Sequence, residues 1–505
     1  MKHLKQATFL LVAILMLVFA AGCAGSNSSS KSTGAGKGNV SHSANSNVSS
    51  HSNDYIYLFP GEDRDFILHN NKITKLDADV TDTFRNGRTQ LIYYVMDGTL
   101  YLCTGSESKA IDSCVEIIHP WPEEDTACLY RANESIVKLY NPKTGKAVAY
   151  PISTSIEYPI ISPDGMAFAY IDPETNKLVL CREGECLSIN PEVDYGHRIM
   201  GVSNNGELVY VTGIPSHDLY CYSATGEKTL LYDYDTSENL LYGLEFNADY
   251  TQVLVSSENI TYISENGKPL EVFADGEAEL IANEPVKDLY GQLYKRDGAL
   301  VRIERNSDDN CVLLSADDIL YGIVSMHRTG DQIIYCNHQR EYRYISVNGG
   351  ENAAETSTLI YTDDTSDHDF SSYFSDDLSC VYQMAADSIN GGPIRLKRLD
   401  SSKTIQIHEF TEGELPENTS VYYPDDKDGI YYTTADALYY FDGNTSTKIV
   451  EGVYYLPKVD GTFIVCQYAA DEDVSLSPAI EAVYLLRNDH TLQKLPVDPL
   501  EMDNL

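Results

Sequence analysis

A turn motif that returns at a nearly constant interval is the feature of this sequence that most constrains its fold. Residues 162–165 (Ser-Pro-Asp-Gly) precede a segment of alternating character, residues 167–171. Proline presets φ for a type I turn, aspartate caps its own backbone, and glycine accepts the left-handed conformation that follows. Related turns begin at Ser203, Asn247, Thr329, Ser375 and Pro424. Successive starts from Ser162 fall 41, 44, 82, 46 and 49 residues apart, and 82 is two periods.

Each repeat contains a second hairpin signal, in which a Tyr-rich or Leu-rich strand ends in a polar turn with glycine. These turns end at Gly145, Gly226, Gly267, Gly349 and Gly443. Two hairpins per period mean four strands per period. Such a small sheet cannot bury both faces alone, so it must stack on its neighbours. A period of forty-odd residues that carries only strand signals is typical of propeller blades, so we predict an all-β propeller of four-stranded antiparallel blades.

The number of blades is less well determined by the repeat. Residues 151–505 hold eight units of about 44 residues, including two weak ones near Tyr290 and Gly461. Residues 54–150 hold three shorter units with a spacing nearer 35, and counting them gives eleven, which is more than we expect in one ring. We therefore predict a propeller over residues 151–505 with about eight blades, with seven blades or two rings as alternatives. Residues 54–150 then form an accessory sheet or part of the ring.

The turn at residues 162–165 leads into the strand that carries Ala169 and Tyr170, and this combination resembles a known family of repeats. It is similar to the propeller repeat of the Tol-type translocation protein and to the related WD-like repeats of bacterial envelope proteins. The resemblance covers most of the chain after residue 150 and implies a fold, without catalytic residues. The single Trp means that the Trp-Asp dipeptide of eukaryotic WD repeats is absent.

The N-terminus has the features of a secretory leader. Residues 1–22 contain Lys2, Lys5 and an apolar run over residues 7–21, which is too short for an ordinary membrane span. The small residues before Cys23 resemble the lipobox of bacterial lipoproteins. The resemblance implies cleavage before Cys23 and lipid on its sulfur and amine, which would anchor the chain to a bacterial membrane on the side outside the cytoplasm. A soluble secreted protein that is cut nearby is the alternative.

A linker follows the leader. After Cys23, residues 24–53 are mostly Ser, Gly, Asn and Ala with nothing to bury, so we predict a flexible linker over residues 23–53. A flexible chain of about thirty residues has an r.m.s. reach of roughly 30 Å. The folded part would therefore stand away from the membrane surface.

The strongly negative charge limits the classes of partner. The chain has 36 basic and 76 acidic residues, for a net charge of −40, and loss of the leader with its two lysines makes the balance −42. Such a surface repels phosphate backbones and anionic headgroups, which argues against nucleic-acid binding. An acidic coat that keeps an exported protein soluble explains the charge, and a cationic or basic partner is the alternative.

Ten cysteines remain besides Cys23. Cys181 and Cys186 lie across a predicted hairpin, and Cys103 and Cys114 lie at the corresponding place in an earlier unit. In an exported chain these pairs are candidate disulfides. The cysteines in apolar strands are predicted to be small buried hydrophobic residues.

No motif for a cofactor, a metal or a catalytic nucleophile is present. Acidic residues cluster at 77–82 and 363–369 without the order of an EF-hand loop, so solvated loops are the favoured interpretation. Asp164, Asp249, Asp377 and Asp426 recur in the blade turns, where we expect them to cap the turn. Residues 119–125 form a proline-rich loop with the only Trp, which either plugs a gap or offers an aromatic platform to a sugar or peptide.

These features together favour a lipid-anchored, extracytoplasmic propeller that binds or scaffolds a protein, a peptide or a glycan through its loops. The alternative is an enzyme that acts on carbohydrate or peptide at the central channel, since paired carboxylates from different blades would leave no local motif. A third interpretation, an envelope assembly subunit, rests on analogy with the Tol-type fold alone.

Overall fold

A computed structural model gives the fold, and it describes the following residues: 56–59, 61, 64–69, 72–86, 91–105, 107–120, 127–190, 198–212, 218–233, 241–257, 259–283, 285–305, 311–320, 324–327, 329–351, 353–363, 367–375, 377–387, 393–410, 421–422, 429–434, 437–452, 454–455, 464–468, 480–487 and 489–497. The predicted leader, Cys23 and the predicted linker lie outside these residues. Within them, no helix has the length and apolar character needed to cross a membrane.

The described residues form 43 strands in eleven antiparallel sheets, ten with four strands and one with three. Sheet 1 contains β1 (Ile56–Phe59), β2 (Phe66–His69) and β3 (Lys72–Lys75). Sheet 2 contains β4 (Val80–Asn86), β5 (Leu91–Met96), β6 (Thr99–Cys103) and β7 (Ser108–Ser113). Sheet 3 contains β8 (Glu116–Ile118), β9 (Cys128–Asn133), β10 (Ile136–Asn141) and β11 (Lys146–Tyr150). Sheet 4 contains β12 (Ile160–Ile161), β13 (Ala167–Asp172), β14 (Lys177–Arg182) and β15 (Glu185–Asn190).

Sheet 5 contains β16 (Arg198–Val202), β17 (Leu208–Thr212), β18 (Leu219–Ser223) and β19 (Lys228–Tyr232), and sheet 6 contains β20 (Leu241–Phe246), β21 (Gln252–Ser257), β22 (Ile260–Glu265) and β23 (Glu271–Asp275). Sheet 7 contains β24 (Ala278–Leu280), β25 (Leu293–Arg296), β26 (Ala299–Arg302) and β27 (Cys311–Leu314). Sheet 8 contains β28 (Val324–Met326), β29 (Gln332–Cys336), β30 (Glu341–Ser346) and β31 (Thr358–Thr362). Sheet 9 contains β32 (Asp367–Phe374), β33 (Val381–Asp387), β34 (Ile394–Leu399) and β35 (Thr404–Glu409). Sheet 10 contains β36 (Val421–Tyr422), β37 (Ile430–Thr433), β38 (Ala437–Phe441) and β39 (Ser446–Glu451). Sheet 11 contains β40 (Tyr454–Tyr455), β41 (Ile464–Tyr468), β42 (Ile480–Leu486) and β43 (Leu492–Lys494). Within the described connections, three single-turn 3₁₀ helices occur: Asn204–Gly206, Ala316–Asp318 and Ala353–Thr356.

Strand order within each sheet follows the chain, so every sheet is a simple meander. The repeated Ser-Pro-Asp-Gly-like turn joins the first strand of a sheet to the second, as between β12 and β13. The second glycine turn joins the third strand to the fourth, as between β10 and β11. The prediction of four antiparallel strands per repeat is therefore confirmed.

In the four-stranded sheets, the second and third strands form the buried centre, and the fourth strand lies at the outer edge. In sheet 2, for example, β5 is buried along most of its length, whereas β7 is exposed at four of its six residues. First strands of consecutive sheets approach one another, as β12 and β16 do. The first strands therefore line the axis of the ring.

Hydrophobic clusters join each sheet to the next. The described residues contain eleven such clusters, and ten of them connect consecutive sheets from 1–2 through 10–11. The remaining cluster packs Tyr57, Phe59 and Phe66 of sheet 1 against Ile464 and Leu485 of sheet 11. A bridge between Gly61 and Val497 adds a backbone contact at the same junction. The last sheet thus packs on the first, and the eleven sheets close one ring.

The predicted blade count of about eight is wrong, as are its alternatives of seven blades or two rings. The error came from setting residues 54–150 apart because their spacing is short. Those residues form sheets 1 to 3, and they carry the same two hydrophobic faces as the later sheets. Ile67 of sheet 1 packs with Ile92 of sheet 2, and Tyr130 of sheet 3 packs with Tyr93 of sheet 2. The short units are therefore members of the ring.

The number of sheets decides how wide the channel is. Packed sheets lie about 10 Å apart and strands within a sheet about 4.8 Å apart, so eleven sheets leave roughly 20 Å between opposite inner-strand backbones. A seven-bladed ring would leave only about 8 Å by the same geometry. Consistent with an open channel, the inner-strand residues Thr81, Glu116 and Arg198 are exposed. Inner strands in this protein therefore present side chains to solvent at the axis.

The turn chemistry predicted from the repeat is confirmed. In the fullest copy, the N–H of Gly165 donates to the carbonyl of Ser162 (2.8 Å) and Gly165 has a φ of +67°. A Cβ on Gly165 would also lie only 2.9 Å from Asn141 Nδ2. Both the positive φ and the close contact therefore require glycine at this position. Asp164 Oδ1 accepts hydrogen bonds from the Ser162 hydroxyl (2.6 Å) and the Met166 N–H (3.1 Å). Asp426 lies outside the described residues, and Asp249 and Asp377 cap their turns in the same way.

These turns also bind to one another around one rim of the ring. The N–H of Asn205 in sheet 5 donates to Asp164 Oδ2 in sheet 4 (2.9 Å). The N–H of Asn204 donates in turn to the carbonyl of Asp249 in sheet 6 (3.2 Å). The recurring aspartate turn therefore stabilises both its own sheet and the junction with the next one.

Candidate functional site

A cleft of about 540 Å³ opens beside β8, the inner strand of sheet 3. Its lining comes from three parts of the chain: β8 itself, the β9–β10 hairpin, and the connection from sheet 3 to sheet 4 at residues 151–159. Ile117 and Ile118, which are 5% and 7% exposed, form its apolar floor with Ile156. The cleft is thus a concave site with an apolar base and polar walls, which is the usual form of a binding site.

Arg131 holds the wall of the cleft in place. Its Nε donates to Glu116 Oε1 (3.0 Å), and its two terminal nitrogens donate to the carbonyls of Ile152 (3.2 Å) and Thr154 (2.8 Å). The side chain is only 12% exposed. A planar guanidinium suits this role because it can satisfy several acceptors at fixed angles. Arg131 therefore fixes the connection at residues 151–159 against the inner strand.

The polar groups that remain available in the cleft are carboxylates and hydroxyls. Glu134, Ser153 and Ser155 are exposed, and Glu116 keeps about half of its side-chain surface in solvent (54% exposed). The guanidinium of Arg131 already has three acceptors. The walls therefore carry excess negative charge with two hydroxyls.

His119 forms the end of the cleft nearest the Trp-containing loop. Its Nε2 lies 3.5 Å from Asp82 Oδ1, and its ring packs edge-on against Phe84. Asp82 Oδ2 also accepts the N–H of Ile117 (2.6 Å), which connects sheet 2 to the floor of the cleft. The predicted loop at residues 119–125 therefore begins at this site, although Trp121 lies outside the described residues.

Among the described residues, Tyr158 is the most exposed large hydrophobic residue, with 74% of its surface in solvent. It lies two residues beyond Ile156 on the same connection and has a φ of +48°. A bulky residue in the left-handed region carries backbone strain, and such strain often marks ligand-binding segments. Tyr158 therefore lies close in sequence to the lining residues Ser155 and Ile156.

A second group of interest is Glu245, on the inner strand β20 of sheet 6. Its Oε1 accepts the N–H of Leu280 from sheet 7 (3.3 Å), while Oε2 is buried without a hydrogen-bond partner among the described residues. Burial raises the pKa of Glu245 from 4.5 to about 7; the hydrogen bond from Leu280 opposes this shift and the nearby Glu279 carboxylate adds to it. No pattern in the sequence singles out Glu245, because the environment that raises its pKa comes partly from another sheet.

The candidate disulfides have different outcomes. Cys181 and Cys186 are paired across β14 and β15 and are joined in the structure, with Cα atoms 4.1 Å apart. Cys103 and Cys114 are both free. They lie at opposite ends of the β6–β7 hairpin and pack into different inter-sheet clusters, so they cannot meet. The candidate pair Cys103–Cys114 is therefore not formed.

Cys336, Cys380 and Cys466 are buried, as predicted, whereas Cys311 on β27 is only partly buried. Burial raises the pKa of Cys466 to about 12. Within the described part of the chain, no group of three His, Cys, Asp or Glu side chains is arranged to hold a metal ion. Part of the acidic cluster at 363–369 lies outside that part.

Of the loop that sequence reasoning singled out at residues 119–125, His119 lines the cleft, and the other lining residues were missed. The missed residues are Glu116, Arg131, Glu134, Ser153 and Ser155. They lie on three separate segments, so no local spacing reveals them.

Comparisons with known proteins identify no family. No family model matches the chain, and no curated protein matches it. Among solved structures, the crystal structure of a eukaryotic initiation factor is similar at 11% identity and a TM-score of 0.34, over 71% of this chain and 97% of that chain. A likeness this weak transfers no property to the protein.

The buried carboxyl of Glu245 leads to a prediction about pH. Because its pKa is higher in the folded state than in the unfolded state, its contribution to stability is complete below about pH 4.5 and is lost as the pH rises through 7. Glu245→Gln should therefore match the parent at pH 4.5 and exceed it at pH 8 by about 3 kcal/mol in the free energy of unfolding. Urea unfolding at both pH values measures the difference.

Glu279→Gln is the matched control, because Glu279 neighbours Glu245 but is 64% exposed. It should change the pH dependence far less. A Glu245→Gln variant whose stability follows the parent at every pH would show that Glu245 stays ionised in the folded ring.

Proposed function

We propose that this protein is a lipid-anchored, extracytoplasmic binding module whose ligand is a protein, a peptide or a glycan. In this proposal, residues 1–22 are removed as a signal peptide, Cys23 carries the lipid, and residues 23–53 form the linker to the ring. The leader sequence and the small residues before Cys23 support the anchor. The propeller, a fold that commonly presents loops to partners, is compatible with the binding role.

The observation that carries the binding role is the cleft beside β8. Its wall is fixed by Arg131 through three hydrogen bonds, so the site is preformed. Its hydroxyls and carboxylates point to recognition through several polar contacts above an apolar floor. A preformed site loses less conformational entropy on binding than a flexible one.

An enzyme that acts on carbohydrate or peptide is the second candidate, and Glu245 is the observation that favours it. A carboxyl with a pKa near 7 is suited to general acid catalysis, and Glu279 on the neighbouring inner strand supplies a second carboxyl. Loss of turnover in both Glu245→Gln and Glu279→Gln would support this candidate. Wild-type protein without turnover of glycosides or peptides would oppose it.

Changing the predicted lipidation site tests the anchor. In a bacterial host fed radiolabelled palmitate, the full chain should carry label and sediment with membranes, whereas Cys23→Ala should lose both properties. Cys466→Ala is a control because that cysteine is buried in sheet 11. Label that persists in Cys23→Ala, or a wild-type chain without label, would contradict the proposal.

Photo-crosslinking tests the binding site directly. We expect p-benzoylphenylalanine at Ser155, inside the cleft, to give a discrete crosslinked product with the full-length chain in cells. The same substitution at Thr175, an exposed position on the β13–β14 turn, should not give that product. Digestion of the product with protease or glycosidase identifies its chemical class.

Equal products at both positions, or no product at Ser155, would contradict the assignment of the cleft as the binding site. The retained thermal stability of each variant shows that the ring has formed.

A further inference from the structure

We infer that the cleft beside β8 recognises a cationic side chain, that of an arginine or lysine in a segment of a partner protein. This inference rests on the proposed binding function and narrows its ligand. Three properties of the cleft define the partner: its free carboxylates, the lack of an available cation among its described lining residues, and its apolar floor.

The carboxylates come from two parts of the chain that line the cleft. Glu116 stands at the start of the inner strand, with only Oε1 engaged by Arg131. Glu134 stands in the turn after β9, is exposed, and makes no hydrogen bond or ion pair within the described residues. Two carboxylates that line one cleft, one from a strand and one from a turn, suit the several N–H donors of a guanidinium or an ammonium group.

The cations in the wall are already engaged. Arg131 is 12% exposed and donates to one carboxylate and two backbone carbonyls. His119 lies beside Asp82, with 3.5 Å between Nε2 and Oδ1. An anionic ligand would therefore meet negative charge without a free positive partner, and its binding is disfavoured.

The floor matches the rest of such a side chain. Ile117, Ile118 and Ile156 offer an apolar surface below the carboxylates. Arginine and lysine place their methylene stems on apolar surface while the charged group stays at the polar rim. The N–H of Ile117 already donates to Asp82, so it is not open to pairing with a partner strand, and side-chain contacts carry the recognition.

The charge of the whole chain acts in the same direction. With a net charge of −40, the protein attracts a basic partner before contact and increases its rate of association. The channel, which is roughly 20 Å wide between opposite inner-strand backbones, also has room for a polypeptide segment. A basic segment can therefore reach β8 from the axis.

The test uses fluorescence polarisation with the full-length chain in detergent. The probes are fluorescein-labelled (Gly-Arg)₄ and the same peptide with citrulline in place of arginine, which keeps the shape and removes the charge. We expect the arginine probe to bind at least about tenfold more tightly than the citrulline probe. Glu134→Gln should weaken binding of the arginine probe by about fivefold to tenfold, the size expected for the loss of one hydrogen bond at an exposed site.

An acidic protein also attracts arginine without a specific site, so a matched variant is needed. Glu174→Gln removes the same charge from an exposed turn of sheet 4 outside the cleft, and it should leave the affinity unchanged. Equal effects of Glu134→Gln and Glu174→Gln, or equal affinity for the two probes, would overturn the inference.

A third probe separates this inference from the proposed function. If chitohexaose binds and Ser155→Trp abolishes that binding, while the arginine probe does not respond to Ser155→Trp, then the cleft binds a neutral glycan and the cationic inference fails. If Ser155→Trp changes no probe and position 155 gives no crosslink in cells, the proposed function of the cleft fails as well.

Discussion

The contact between the hydrophobic faces of neighbouring sheets is the interaction on which the rest of this structure depends. Each sheet has only three or four short strands and cannot keep either face from water by itself. Eleven hydrophobic clusters cover the paired faces of the described sheets, and the one that joins sheet 11 to sheet 1 removes the two faces that an open stack would leave exposed. The ring is therefore closed by the same hydrophobic packing that joins every other pair of neighbouring sheets.

The size of the ring has consequences for function. An eleven-sheet ring leaves its inner strands apart at the axis, so residues such as Glu116 face solvent instead of packing into a closed centre. The cleft beside β8 and the buried carboxyl of Glu245 both belong to these inner strands. Both candidate sites therefore include an inner strand, while the aspartate turns stabilise one rim.

The local parts of this fold could be predicted from the sequence, and the long-range parts could not. The turn at residues 162–165 and the glycine turn ending at Gly145 define two hairpins per repeat, because their φ requirements are local. The number of blades depends on the angle between packed sheets, and the length of the sequence repeat does not determine that angle. Arg131 illustrates the limit at the site: its acceptors lie 15, 21 and 23 residues away on two other segments, so only the folded chain brings them together.

Closure of eleven sheets into one ring is most directly tested by the distance between the outer strands of sheets 1 and 11. Spin labels at Thr74→Cys on β3 and Lys494→Cys on β43, both exposed positions, report it by double electron–electron resonance in a Cys311→Ser background. Adjacent sheets in a closed ring place these labels about 15–25 Å apart, given a sheet spacing of about 10 Å. A single narrow distribution in that range is the expected result, and a distribution centred beyond about 40 Å, as an open stack would give, would contradict the closed ring.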